Sequence, residues 1–254
     1  MLRFVNAVSD FVDRIKINTL SKELRDGRPV WIKRRRRSAA PIMACANRFF
    51  LVAGNPVRAL ADVAQWRRWE VDCFLHLHGD GFRAFPEGER AVAADEVPGV
   101  NLAVPLDDGS LAPAMAAAAG RELRRAHGRE CRQFGASWSH GDPHLGNFVY
   151  DAATDRARLI DFEVMHDSRL GADERHADDL LVFLQDLLGR IAPDRWLPNA
   201  HAFLAAYDRP EIVARLRPRL VVPRGLPRLW WMVRTTFLPR SEVARRLAAL
   251  RDSL

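Results

Sequence analysis

Between residues 139 and 163 the chain carries two short polar clusters, each tied to an apolar strand pattern, and no other stretch limits its fold so tightly. The first is Ser139-His140-Gly141-Asp142-Pro143-His144-Leu145-Gly146-Asn147, running into Phe148-Val149-Tyr150; the second is Leu159-Ile160-Asp161-Phe162-Glu163. The polar turn Asp151 to Arg156 joins the two apolar stretches, which predicts a tight hairpin whose buried strands fix the polar residues at their ends. Asp142 is placed to accept the proton of an incoming hydroxyl. Asn147 and Asp161 are hard oxygen donors, better suited to magnesium than to zinc. A base, an amide and a second carboxylate in this spacing are what metal-assisted phosphoryl transfer from ATP requires. A plain turn, with Asp142 capping it and Asn147 closing it, explains one cluster but not the coincidence of two.

The rest of the composition sets bounds. The chain has 254 residues, 48% hydrophobic and 28% charged, enough for one large domain or two lobes with a real core. No apolar run reaches the length of a membrane span. Asp10, Asp13, Arg14 and Lys16 interrupt the apolar N-terminal positions, unlike a signal peptide. Cys45, Cys73 and Cys131 are odd in number and far apart, which fits reduced thiols and a cytoplasmic protein. The net charge is +7, with Lys33-Arg34-Arg35-Arg36-Arg37 its densest run. Such a run attracts anionic partners, an anionic membrane among them, or is simply a solvated strand end. No aromatic-basic motif accompanies it, so a nucleic-acid partner is not expected.

Residues 2 to 15 have the spacing of an amphipathic helix, suited to docking on the domain's own core or to lying on a membrane. Val30 to Lys33 reads as a strand ending in lysine, and residues 42 to 53 as a helix before the turn Gly54-Asn55-Pro56. A second helix runs from about Leu60 to His76, and Ala91 to Ala94 reads as a strand. Asp95 to Gly99 is a connector. Pro113 to Cys131 and 174 to 191 read as helices, followed by proline-punctuated helix to the end. The expected plan is α+β and two-lobed: a smaller mixed first half, 1–97, and a mostly helical second half, 98–254.

The clusters at 140–147 and 159–163 resemble the catalytic loop and metal-binding motif of the aminoglycoside phosphotransferase and choline kinase-type branch of the protein-kinase-like fold. They also resemble bacterial kinases acting on lipopolysaccharide core sugars. That resemblance implies ATP and magnesium as cofactors, Asp142 as catalytic base and His140 as the residue opening the catalytic loop. It further implies Asn147 and Asp161 as metal ligands, and Asp179 as structural support through the loop backbone. Lys33 with Glu70 as its partner, and Glu96 in the connector, fall to cofactor binding. The fit has departures. No Gly-x-Gly-x-x-Gly precedes Lys33, Glu163 stands where protein kinases have glycine, and only ten residues separate Glu163 from Glu174. The last is too short for a regulated activation segment and favours a small-molecule, sugar or glycolipid acceptor, with peripheral membrane contact for the last.

Two other readings use the same residues. His140, Asp142 and His144 resemble the ligand cluster of a metal-dependent phosphoesterase, a reading that leaves Lys33 and Glu70 without a role. A non-catalytic nucleotide-binding scaffold fits the missing glycine loop but not the filled catalytic positions. Cys73, His76 and His78 lie at a helix end without a fourth partner and read as packing, as do Trp230 and Trp231.

Overall fold

The computed structural model describes residues 17–79 and 81–254, so the helix expected over 2–15 lies outside the described residues. The fold is mixed α/β, 50% helical and 19% strand. The chain divides into two units, one from residues 1–50 and 58–97, the other from 51–57 and 98–254.

The first unit is built on an antiparallel sheet of four strands: β1 (Asn18–Arg25), β2 (Arg28–Arg35), β4 (Ala84–Glu87) and β5 (Ala91–Asp95), in the order β1-β2-β5-β4. Between them come α1 (Ala39–Val52), the short β3 (Val57–Ala59) and α2 (Val63–His78). Asp26 and Gly27 turn β1 into β2 with φ of 52° and 75°. Two positive φ values in a row are what a two-residue type I′ hairpin demands, and Asp-Gly supplies them cheaply. β1 itself was not expected: it is almost wholly exposed, so no inward-outward alternation marks it. In β2, Val30 and Ile32 are buried with Ala91 and Ala93, and the partly buried Phe85 packs against them. The opposite parity, Lys33 and Arg35, turns toward α2.

Helix α2 begins where the side chain of Asp62 accepts from the amide of Gln65 at 2.6 Å. Trp66, Trp69, Glu70, Cys73, Phe74 and Leu77 form its buried stripe at helical spacing. Of the three residues expected to pack, Cys73 and His78 are buried, the His78 ring lying 5.1 Å from that of Phe74, whereas His76 is exposed.

The second unit is mostly helical. Its elements are β6 (Val100–Asn101), α3 (Ala103–Asp107), α4 (Pro113–His127), β7 (Glu130–Cys131), β8 (Ala136–Ser137), β9 (Phe148–Asp151), β10 (Arg156–Leu159), β11 (Val164–His166), α5 (Ala172–Arg190), α6 (Pro193–Tyr207), α7 (Pro210–Leu216), α8 (Pro227–Arg234) and α9 (Arg240–Ser253). The helix expected to reach Cys131 stops at His127, because Gly128 ends it and Glu130-Cys131 pairs with Ala136-Ser137 in a hairpin. The expected hairpin forms as β9 paired with β10, and β6 adds a third strand. Helix α5 is buried along nearly its whole length; Phe183 stacks on Phe203 of α6 at 3.8 Å and meets Phe148 of β9 edge-on at 5.6 Å. The start of β9 is therefore seated directly on the helical core.

Candidate active site

In the first unit Lys33 and Glu70 form an ion pair, Nζ to Oε1 at 2.8 Å, with side chains 13% and 10% exposed. The pairing follows from two periodicities. Lys33 and Arg35 are two apart on a strand, and Trp66 and Glu70 four apart on a helix, so both pairs of side chains meet in register. The Arg35 guanidinium lies 4.0 Å over the Trp66 ring, and Trp66 Nε1 donates to Glu70 Oε2 at 3.3 Å. Arg35 is 1% exposed. The basic run is therefore not one solvated patch: Lys33 and Arg35, on one face of β2, turn inward, whereas Arg34 on the other face and Arg36 and Arg37 beyond the strand are exposed. The Glu96 carboxylate is engaged within the same unit, accepting from Lys22 Nζ at 2.8 Å and Trp31 Nε1 at 3.1 Å.

In the second unit the loop from Ser139 to Asn147 is held mainly through its backbone. Asp179, on α5 and fully buried, accepts from the amides of His140 and Gly141, both at 2.7 Å. Asp186, seven residues along the same helix and so on the same face, accepts from the Leu145 amide at 2.8 Å. Asn101 donates to the Gly146 carbonyl at 2.6 Å. Gly141 has φ 89°, and a Cβ there would also meet Val164 at 3.1 Å, so only glycine suits the bend.

His140 donates from Nε2 to the Ile160 carbonyl at 3.1 Å, while its Nδ1 accepts from the Asp142 amide at 3.3 Å. Burial pushes its pKa down, keeping it neutral and both nitrogens committed to backbone. His140 is thus a brace between the two clusters, unable to ligate a metal. Among the described residues no group of three His, Cys, Asp or Glu side chains is arranged to hold one. The phosphoesterase reading is not favoured.

Asn147 donates from Nδ2 to the Asp142 carbonyl at 2.8 Å, which turns its Oδ1 the other way, and its own carbonyl accepts from the Ile160 amide at 2.9 Å. That last bond ties the loop to the strand leading into Asp161. Asp161 has φ 68°, in the left-handed region that few side chains enter. The chain turns sharply there, and β10 ends at Leu159 rather than continuing to Phe162. The donors suit magnesium: Asn147 Oδ1 and the Asp161 carboxylate are the hard oxygens that would hold it.

Behind the loop lies a buried polar layer that sequence patterns did not reveal. Burial opposes the charge on Asp179, but the imidazoles of His166 and His127 outweigh it and hold its carboxyl below the usual range. His127 donates from Nε2 to Asp179 at 2.9 Å, and its Nδ1 accepts from the Tyr207 hydroxyl at 2.8 Å. Its ring stacks on His176 at 3.9 Å. Burial depresses both imidazoles, His176 to about 3. His166 bridges Ser139 Oγ at 2.9 Å and Asp178 at 3.3 Å.

Asp142 itself is 37% exposed at its side chain and meets Arg234 of α8, Nη2 to Oδ1 at 3.1 Å. Arg234 lies 4.9 Å from the Trp230 ring centre. Trp230 therefore backs a guanidinium rather than filling the core, and α8 has no fully buried residue. No local pattern in the sequence points to Arg234.

Comparison with known proteins gives the setting. No family model matches the chain, and no curated protein does. Among solved structures, a Plasmodium vivax ethanolamine kinase aligns over 92% of this chain and 79% of its own, at 10% identity and a TM-score of 0.49. A Mycobacterium tuberculosis protein solved in complex with erythromycin aligns over 93% of this chain and 71% of its own, at 16% identity and a TM-score of 0.45.

Proposed function

We propose that the chain is an ATP- and magnesium-dependent phosphotransferase that moves the γ-phosphoryl of ATP to a hydroxyl of a small molecule, a sugar or a lipopolysaccharide-type glycolipid. The first unit then acts as a reduced N-lobe and the second, to which residues 51–57 belong along with 98–254, as a mostly helical C-lobe. The observation that carries this reading is the backbone bond from Ile160 to Asn147, which joins the loop bearing Asp142 to the segment bearing Asp161.

Asp142 accepts the proton as the acceptor oxygen attacks the γ-phosphorus; the bond to the bridging oxygen breaks and ADP leaves. Arg234, 3.1 Å from the same carboxylate, keeps Asp142 aimed. Lys33, steadied by Glu70, neutralises the α- and β-phosphates. Asn147 and Asp161 would hold magnesium, which would supply charge stabilisation for the transferring phosphoryl group. His140 and Asp179 hold the loop backbone so that Asp142 needs no reorganisation during the reaction.

The test follows nucleotide binding and turnover separately in purified protein. Asp161→Asn is expected to abolish magnesium-dependent strengthening of ATP binding, and the assignment fails if that dependence survives intact. Following labelled phosphate into small-molecule, lipid and protein fractions then identifies the acceptor class.

A further inference from the structure

Arg234 does more than face Asp142. Its side chain is 10% exposed, yet its Nε is buried and finds no hydrogen-bond acceptor among the described residues. The same is true of Asn55 Nδ2 in the turn Gly54-Asn55-Pro56. The Asn55 amide is not free to swap ends, because its Oδ1 accepts from the Val57 amide at 3.2 Å. Both residues line one cavity of about 90 Å³ in the second unit. That is space on the order of a few water molecules, and sufficient for a small oxyanion.

The charged groups of the walls are already paired, Arg234 with Asp142 and Arg219 with Asp178. Arg219 also lines the cavity, as does the Asp178 carboxylate, whose charge is already met by Arg219 and His166. What remains unsatisfied is the Arg234 Nε–H and the Asn55 NH₂, both donors. Buried donors without acceptors are costly and rare. A phosphate or carboxylate oxygen would satisfy both, as a charge-assisted hydrogen bond at Nε.

We infer that this cavity is a subsite for an anionic group, phosphate or carboxylate, carried by the acceptor close to the hydroxyl that Asp142 deprotonates. The meaning of the subsite rests on the phosphotransferase reading; the anion site itself does not. Arg234 is then the residue shared by the two functions, one nitrogen on the base and another on the acceptor's anion. An acceptor seated in this way presents a hydroxyl one short spacer from its own charge. In the transfer, that hydroxyl oxygen bonds to the γ-phosphorus of ATP, its proton passes to Asp142, and ADP departs. A soluble phosphate monoester and an anionic phospholipid headgroup offer the same chemistry.

Calorimetric titration of inorganic phosphate tests the site, first with protein saturated by a non-hydrolysable ATP analogue and magnesium, then with protein alone. The decisive variant is Asn55→Asp, which keeps the oxygen that Val57 needs and replaces the donor by a second oxygen. Phosphate affinity is expected to fall about tenfold or more in Asn55→Asp, while analogue binding and thermal midpoint hold. Arg234→Lys, which keeps charge but loses the planar fork, is expected to weaken phosphate binding as well. Equal phosphate affinity in wild type and Asn55→Asp, or none in wild type, overturns the subsite. Failure of analogue binding in wild type instead counts against the phosphotransferase reading and leaves the phosphate comparison readable. Displacement of phosphate by glycerol 3-phosphate supports a soluble acceptor. Displacement only by phosphatidylglycerol vesicles, with phosphatidylcholine vesicles as control, supports a lipid one.

Discussion

Lys33 and Glu70 meet side chain to side chain, from a strand and a helix of the first unit, whereas Asp142 in the second unit is positioned by its backbone. In the first arrangement two long side chains share one contact, aided by Trp66. In the second, Asp179, Asp186, Asn101 and His140 each secure a different point of one loop. The first can loosen without disturbing the sheet around it. The second cannot move without breaking buried hydrogen bonds, so substitutions there couple chemistry to folding.

The comparison is sharpest at Asp142. Asp142→Asn is expected to lower turnover by roughly 10² to 10⁴ with ATP affinity unchanged; a loss below tenfold would remove it as the base. Next is the loop's anchor. Asp179→Ala strands two buried amides and an imidazole, and urea unfolding is expected to show a loss of about 3–5 kcal/mol. A loss under about 1 kcal/mol would mean that the loop is not held as described.

In the first unit, Lys33→Met is expected to weaken nucleotide binding about ten- to a hundredfold by calorimetry. Its shift in the urea midpoint should be smaller than that of Asp179→Ala, and the reverse order would erase the distinction between the units.

Acid probes the buried layer. His127, His140 and His176 have folded pKa values below the ordinary one, so below about pH 6.5 the unfolded chain binds more protons than the folded one. Their neutral forms therefore impose no penalty above that pH, and stability is lost as pH falls from there toward the folded values. Asp178 and Asp179, depressed in the fold, add a loss in the same direction below about pH 4. Unfolding free energies from urea titrations should fall between pH 7 and 5, with His176 alone contributing on the order of 1–2 kcal/mol. In His176→Gln the slope should be shallower; an unchanged slope would place the linkage elsewhere. The smallest effect belongs to Glu96→Gln, which removes a partly exposed pair and should cost under about 1 kcal/mol in the same assay.

Local pattern made some of this legible and left the rest hidden for physical reasons. Helices α2 and α5 were readable because burial at three- and four-residue spacing leaves a stripe of Trp, Phe and Leu. β1 left no such trace, being an exposed edge strand whose partner, not its side chains, defines it. Arg35 was indistinguishable from its basic neighbours until strand parity was known. Asp142, Asn147 and Asp161 stood out by spacing. Their supports did not: Asn101 and Arg234 reach the loop from distant stretches of chain, and pairing across such separations has no local signature. Asp186 did carry one, as a second carboxylate seven residues after Asp179 on an otherwise apolar face.

The left-handed turn at Asp161 narrows what that position can be before any chemistry is considered. Glycine, asparagine and aspartate enter this backbone region at least cost, and of the three only aspartate is an anion. Identity at 161 is thus chosen twice, once by geometry and once by charge. Asp161→Glu keeps the charge and loses the turn, while Asp161→Asn keeps the turn and loses the charge. Taken together, the two separate requirements that the native residue meets at once.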